Sequence, residues 1–174
     1  SLFNDGVAAI KKDNQWGFIN KNGDVTINLR NDLVITNTKD GDYPIFKDNR
    51  CLITKKKEGV SYFGFIDKTG KIVIEPKFLN ALNFNNNQTI ALELVKEKLG
   101  GNDVLGKNVV NYKYFEVVID STGTVKHYLN PKGVHVVLDK KYIKNPPKIT
   151  SKLISDDLVA IHNKNTKWLI KSIK

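Results

Sequence analysis

Phe63-Gly-Phe-Ile-Asp67-Lys-Thr-Gly70-Lys-Ile-Val-Ile-Glu-Pro76-Lys-Phe78-Leu-Asn-Ala-Leu-Asn-Phe84 holds two strands and the turn that joins them. Phe63 to Ile66 is aromatic and β-branched, which suits a pleated, half-buried surface. Asp67-Lys68-Thr69-Gly70 offers an Asp that bonds the following backbone and a Gly that takes positive φ, the preferences of a type I turn closing a hairpin. Lys71 to Ile74 is the return strand. Pro76 is expected to end it, because proline donates nothing to a sheet ladder.

The rest of the chain repeats this stretch with variations. The first copy opens on Phe3 and passes through a strand at Val7–Ile10 and a turn at Lys12-Asp13-Asn14. A second strand at Trp16–Ile19, a turn at Asn20-Lys21-Asn22-Gly23 and a third strand at Val25–Ile27 complete it. The second copy starts at Phe46, runs through Cys51-Leu52-Ile53 and has its turn at Lys55–Gly59; Gly23 and Gly70 stand 47 positions apart. The third starts at Phe84. Residues 88–99 taken alone read as a helix, but the repeat register makes Ile90–Val95 a strand. Gly100 opens a polar insertion that reaches Asn111, and the second strand resumes at Tyr112, ahead of the turn Asp120-Ser121-Thr122-Gly123. Beyond it, Asn130-Pro131-Lys132-Gly133 reads as a hairpin turn between Val125–Leu129 and Val134–Leu138, and Asp139-Lys140 as the start of one more tight turn. Pro146-Pro147-Lys148-Ile149 resembles Glu75-Pro76-Lys77-Phe78 and leads to a partial fourth copy, with the segment Ile154–Ile161, a polar turn at His162–Thr166 and the segment Lys167–Ile170.

Short strands joined by Gly-, Asn- and Asp-rich turns make an all-β chain. One hairpin cannot bury its own apolar face, so successive copies must pack on one another. The expectation is a single domain, 1–174, of antiparallel β-hairpin repeats at about 3–45, 46–83, 84–149 and a partial 150–174, in a propeller-like or curved, open sheet stack.

Trp16-Gly-Phe-Ile-Asn-Lys-Asn-Gly23 and Phe63-Gly-Phe-Ile-Asp-Lys-Thr-Gly70, with Ile-Val-Ile-Glu-Pro-Lys-Phe78 behind the latter, resemble the bacterial WG (KWG) repeat. The opening Phe3-Asn-Asp-Gly-Val-Ala-Ala-Ile10 is similar to that repeat's first segment. The aromatic–Gly pair varies from copy to copy: Trp16-Gly17, Phe63-Gly64 and Trp168-Leu169. Counting back from Asp120 puts Glu116-Val117 there in the third copy, unless a bulge brings in Phe115. Residues 28–45 lack the Pro and aromatic of the pattern. The resemblance implies β-hairpin repeats and a bacterial envelope or secreted protein, with the cytoplasm the alternative; it implies no reaction and no particular ligand.

Composition narrows the function. The net charge is +10 and the pI about 9.5. Of the cations only Arg30 and Arg50 are arginine, whereas base reading and bidentate phosphate clamping favour arginine. The lysines are scattered, with Lys55-Lys56-Lys57 the only run of three. Nucleic acid is therefore disfavoured as a partner. No apolar run approaches the roughly 18 residues of a membrane span. Methionine is absent and the first residue is Ser1, as expected of a mature or trimmed piece of a longer product. Cys51, the one cysteine, excludes an internal disulfide and a thiolate-rich zinc site, and reads as a small buried residue on a strand.

The aromatic–Gly pairs admit a sugar-stacking platform, but recurrence at equivalent places favours ring packing in the core, with Gly relieving a crowded or bulged strand. Trp16, Gly17, Gly23, Phe63, Gly64, Gly70, Gly123 and Trp168 are thus expected to serve the repeat structure. The Asp-x-x-Gly turns lack the spacing of a calcium loop. His135 is expected opposite Tyr128 with His127 diagonal to it, which makes a poor metal pair. No nucleophile elbow, phosphate-binding glycine loop or zinc-protease motif occurs. No catalytic residue, metal or cofactor is expected. The reading is a non-catalytic binding module for a protein or an anionic or glycan envelope polymer, with the 100–111 insertion as the contact loop. A ligand-free structural spacer is the alternative, and a glycan-active enzyme a weaker one.

Overall fold

A computed structural model describes residues 1–102, 107–162 and 167–174. The first unit is an antiparallel sheet of β1 (Phe3–Asn4), β2 (Val7–Lys12), β3 (Gln15–Asn20) and β4 (Val25–Arg30), paired in that order. A small hairpin, β5 (Thr36–Thr38) and β6 (Gly41–Tyr43), follows it. The second unit repeats the plan with β7 (Phe46–Lys47), β8 (Arg50–Lys57), β9 (Val60–Ile66) and β10 (Ile72–Phe78). The third consists of β11 (Gln88–Asn102) and β12 (Lys107–Asp120), with β13 (Val125–Tyr128) and β14 (Val134–Val136) along the edge of β12 opposite β11. The fourth has β15 (Lys152–Leu153), β16 (Leu158–His162) and β17 (Trp168–Ser172). The described chain is all-β, in several small antiparallel sheets, and none closes into a barrel. Among the described residues, no helix is long and apolar enough to cross a membrane.

The repeat register thus reads residues 88–99 correctly as strand. Four local readings change. The turn expected over Lys55–Gly59 is only Glu58-Gly59, both at positive φ (53° and 82°), and Lys55–Lys57 belong to β8. Pro76 does not end β10: the strand runs on to Phe78 around a bulge that accommodates the missing N–H. Asn130–Gly133 does not close a hairpin, because β13 and β14 both pair with β12 and lie end to end along it. Much of the 100–111 insertion lengthens the β11–β12 hairpin through Asn102 and from Lys107; its tip, 103–106, lies outside the described residues, as does 163–166 of the expected His162–Thr166 turn, while His162 itself ends β16.

The two middle sheets divide their side chains between two neighbours. In β8, Cys51 and Ile53 pack with Val7, Ala9, Phe18 and Ile27 of the first unit, while Leu52 packs with Phe65, Ile74 and Val117 toward the third. In the third unit, Ile90 and Val118 turn the other way, onto Val159 and Ile173 of the fourth. Edge-to-face ring pairs Phe18–Phe46 and Phe65–Phe84, both 4.8 Å between centroids, recur at the first two junctions. Burial between units is what makes short hairpins stable.

Polar ladders run beside this core. The first three units enter through a two-residue turn at positive φ: Asp5-Gly6, Asp48-Asn49 and Asn86-Asn87. An Asp5 oxygen accepts the Asn49 N–H (2.7 Å), Asp48 accepts the Asn87 N–H (2.8 Å), and Asp156 accepts from the Asn86 side chain (2.6 Å). Both arginines act across junctions: Arg30 donates to the Gly70 carbonyl (3.1 Å) and Arg50 to that of Ser121 (3.1 Å). Arg30 also holds Asp32 in a forked ion pair.

The three Asx turns are nearly superposable in their bonding. Asp67 Oδ1 accepts the N–H of Thr69 (2.9 Å) and of Lys71 (3.1 Å), and Asp120 Oδ1 accepts those of Thr122 and Thr124 at the same distances. Asn20 Oδ1 does the same for Asn22 and Asp24. Gly23, Gly70 and Gly123 close them at φ 88°, 82° and 81°, where a Cβ is strained. The Thr69 hydroxyl is the main cause that holds the Asp67 carboxyl below its ordinary pKa. For Asp120 burial pushes upward, and the bonds from Thr122, Thr124 and Lys126 outweigh it. A folded pKa below the unfolded one gives stability that is full at neutral pH and is lost as pH falls through the folded value. The double variant Asp67→Asn, Asp120→Asn is expected to keep both turns, as Asn20 does. Its Tm should fall less than the parent's between about pH 5 and pH 2, read by circular dichroism.

Candidate functional site

The aromatic–Gly pairs sit in β3 and β9, the third strand of each sheet in chain order. Phe63 is buried in the junction to the third unit, and Trp16 is half-buried against the first core, with Lys11 Nζ 5.5 Å over its ring. A Cβ on Gly17 would stand 2.6 Å from the Ile27 carbonyl oxygen; one on Gly64 would stand 2.6 Å from Pro76 N and 2.8 Å from the Glu75 carbonyl carbon. In both units a bulge of the return strand presses onto the glycine, and the register breaks there. The third unit has Glu116-Val117 at this place, and Phe115 does not take it. Beside Val117 the return strand runs without that break, Val117 opposite Tyr128 and Val118 opposite His127. The glycine and the bulge come and go together.

Trp168 differs from the other rings: it is 48% exposed, with Lys152 Nζ 5.3 Å over its face and the His162 ring 5.1 Å away, edge to face. The histidines stand on separate strands. His127 lies opposite Val118 and His135 opposite Lys113, so His135 does not face Tyr128; its Nδ1 meets Asn111 Oδ1 at 3.1 Å. Cys51 is fully buried, and burial pushes its thiol pKa up to about 12, against the opposing pull of Arg30. It is expected to give no reaction with Ellman's reagent in the native chain and full reaction in denaturant.

A cationic groove is the arrangement with the clearest chemistry. Because Glu58-Gly59 is a tight turn, β8 keeps Lys55, Lys56 and Lys57 on a rigid strand, with Lys55 directly opposite Tyr62 of β9. The bulge at Pro76 brings Lys77 to the same place. Together they line an open groove of roughly 380 Å³, with Glu75 the one acidic residue on its wall. None of these four lysines is in an ion pair among the described residues, whose bridges are Arg30–Asp32, Lys113–Glu97, Lys126–Asp120 and Lys174–Asp157. Tyr62 is half-buried, and burial is the chief cause that raises its phenol pKa, so its ring presents a neutral face and hydroxyl. Lys55 and Lys57 share the face of Tyr62. Lys77, whose Nζ reaches the Gly123 carbonyl at 3.5 Å and lies 5.2 Å over the Phe78 ring, adds a third charge at the groove. Together they attract an anion, and the Tyr62 ring offers a flat surface to a sugar ring. The lysine run is visible in the sequence; Tyr62 and Lys77 gain meaning only once the short turn sets the β8–β9 register and the bulge carries Lys77 over.

A larger, shallower cavity of roughly 560 Å³ lies where β5 and β6 meet the start of the chain, between Phe3, Thr36, Asn37 and Asn83. Its polar groups largely satisfy each other, as in Asn83 Nδ2 to Thr36 Oγ1 (2.8 Å) and Asn37 Nδ2 to Asp42 Oδ1 (2.7 Å).

The family model for the WG-containing repeat matches residues 16–30 and 63–92. Each match begins on an aromatic–Gly pair and includes the bulged return strand. Among curated proteins and among solved structures, nothing matches the chain.

Proposed function

Because this chain is a protein of WG-containing repeats, we propose that it is a non-catalytic binding module of the bacterial envelope or exterior, and that the groove of Lys55, Lys57, Tyr62 and Lys77 holds an anionic polymer there. The observation that supports this reading is the set of lysines on rigid strand and bulge positions near Tyr62 that are in no ion pair among the described residues. Lysines serve a polyanion as point charges, which tolerates irregular spacing along a polymer. The arginines that would read a nucleic acid in defined geometry are both engaged between units.

The test is retention on purified cell wall across a salt series. The parent is compared with Lys55→Glu, Lys57→Glu, Lys77→Glu and with a control of equal charge, Lys12→Glu, Lys21→Glu, Lys132→Glu, at exposed sites away from the groove. The groove variant is expected to lose at least about tenfold in affinity, and the control much less, because screened charges beyond about 10 Å contribute little at 0.1 M salt. Equal losses would reduce the binding to net charge and sink the groove. Absence of binding by the parent at low salt would leave a protein partner or a spacer role.

A further inference from the structure

The lysine groove does not end at Tyr62. Lys55 opposite Tyr62 and Lys57 opposite Val60 put those four side chains on one face of the β8–β9 hairpin. That face is turned to the third unit: Val60 is buried with Leu79, Leu92 and Ile143, and Tyr62, Leu94 and Leu138 pack around them. Between Tyr62 and the third sheet a second cavity of roughly 290 Å³ stays open, walled also by Lys57, Glu58 and Tyr112. The two cavities share Lys57 and Tyr62 as wall residues, so the Tyr62 ring stands at their junction. Glu58 and Tyr112 are near enough to act on its phenol, whose pKa burial raises first and these two raise further. The two halves differ in charge. The groove gathers Lys55, Lys57 and Lys77 against Glu75 alone. In the second cavity Glu58 offsets Lys57, and the other walls are tyrosine and aliphatic.

We propose, on the reading of the groove as an anion site, that the second cavity is a subsite for a neutral sugar ring, so that the ligand is a glycan in which an acidic residue is joined to a neutral one. A sugar ring lays its apolar C–H face on an aromatic ring, and Tyr62 and Tyr112 supply two such rings with Leu94 and Leu138 beside them. Hydroxyls at the sugar's rim find the phenol groups as donors and acceptors and the Glu58 carboxylate as an acceptor. Glu58 also sets the sign. It repels a second carboxylate from the place that a polymer charged at every residue has to fill. The volume is close to the lower bound of about 300 Å³ for small-molecule sites, which suits one ring. The subsite is also built in advance. Glu58-Gly59 is a tight turn at φ 53° and 82°, and Tyr112 is fixed in β12 between Lys96 of β11 and Val136 of β14.

The experiment is calorimetric titration of the whole chain with three hexasaccharides: one alternating glucuronic acid and N-acetylglucosamine, one of galacturonic acid throughout, and one of N-acetylglucosamine throughout. The alternating chain is expected to bind at least about tenfold more tightly than either of the others, although it carries half the charge of the all-acid one. Tyr112→Ala is expected to abolish its advantage over the all-acid chain. Glu58→Lys should raise the affinity for the all-acid chain at least about threefold more than Asp13→Lys does, which is the same charge change at the matching turn of the first unit (φ 52° against 53°). Equal binding of the alternating and all-acid chains by the parent overturns the proposal, as does no binding of the alternating chain at about 1 mM. An advantage that survives Tyr112→Ala, or equal gains in Glu58→Lys and Asp13→Lys, overturns it likewise. Glu58 lies at an exposed turn, so the last comparison stands even where Tyr112→Ala does not fold. Failure of the groove itself has a separate sign: the Lys55, Lys57, Lys77 variant then keeps as much retention on cell wall as its control of equal charge. Failure of the second cavity alone leaves that retention dependent on the groove lysines.

Discussion

Gly64→Ala is expected to destabilise the folded chain by about 3 kcal/mol, at the upper end of what one added methyl group costs in a packed interior. The new Cβ would stand 2.6 Å from Pro76 N and 2.8 Å from the Glu75 carbonyl carbon. Both are backbone atoms, so no flexible side chain swings away to make room. Withdrawal of the bulge is also resisted, because its two ends are held by Ile74 and Phe78, which are 3% and 1% exposed in the second core. Proline in the bulge has a fixed φ, which removes the easiest relaxation. Gly17→Ala is expected to cost less, about 2 kcal/mol, since only the Ile27 carbonyl oxygen lies closer than 3.2 Å and no proline stiffens the segment. Gly6→Ala separates strain from crowding: nothing lies within 4 Å of its Cβ, yet φ is 82°, so only the backbone cost of about 1 kcal/mol remains. Urea unfolding at neutral pH ranks the three. A Gly64→Ala loss no larger than that of Gly6→Ala would show that the bulge yields and that the close approach is not what the glycine serves.

That ranking also shows what was legible in the sequence. The Asx turns at Asn20, Asp67 and Asp120 and the hairpins they close were readable because turn chemistry is local: an Asx oxygen bonds backbone two and four residues on, and glycine closes the loop. The strand at 88–99 was readable through the register of the repeat, against its own helical look. What escaped was non-local. Pro76 reads as a strand end, because the glycine that makes room for its bulge lies on the neighbouring strand. Asn130–Gly133 reads as a hairpin turn, because nothing local says that both flanking segments prefer the long edge of β12 to each other. Lys55–Lys57 reads as a loop of lysines, because Glu58 takes positive φ beside Gly59, an uncommon conformation for that residue type. The cationic groove depends on the last of these, so it emerges only with the pairing of β8 and β9. In the sequence Arg30 and Arg50 stand out only as the two arginines, and nothing local says that they hold adjacent units together.

Glu116 is the other residue whose loss is expected to be large. At the place that an aromatic ring holds in the first two units, it is 7% exposed and its carboxylate is fully used. Oε1 accepts the Thr150 N–H and the Thr150 hydroxyl, both at 2.8 Å, and Oε2 accepts the Ser151 N–H at 3.0 Å. Its own N–H is held by Asn130 Oδ1 (2.7 Å) and its carbonyl by the Leu129 N–H (2.8 Å). One side chain thus fastens the third sheet to the segment that leads into β15. Glu116→Ala leaves the buried Ser151 N–H without its acceptor, at about 1–3 kcal/mol, and removes two bonds from the exposed Thr150, whose donors can turn to water, so a total near ~3 kcal/mol is expected. Glu116→Gln keeps the shape but turns one acceptor into a donor facing a donor, and about 2 kcal/mol is expected. The distribution of the loss matters more than its size. Stacked units are coupled mainly to their neighbours, so the damage should stay in the fourth. Hydrogen exchange in the Gln variant is expected to quicken at Lys152–Leu153 and Leu158–His162, with Cys51–Ile53 unchanged. Uniform acceleration would mean that the four units unfold as one. Unchanged protection in β15 and β16 would mean that the apolar junction of Ile90, Val118, Leu129, Val159 and Ile173 holds the fourth unit without help from the carboxylate.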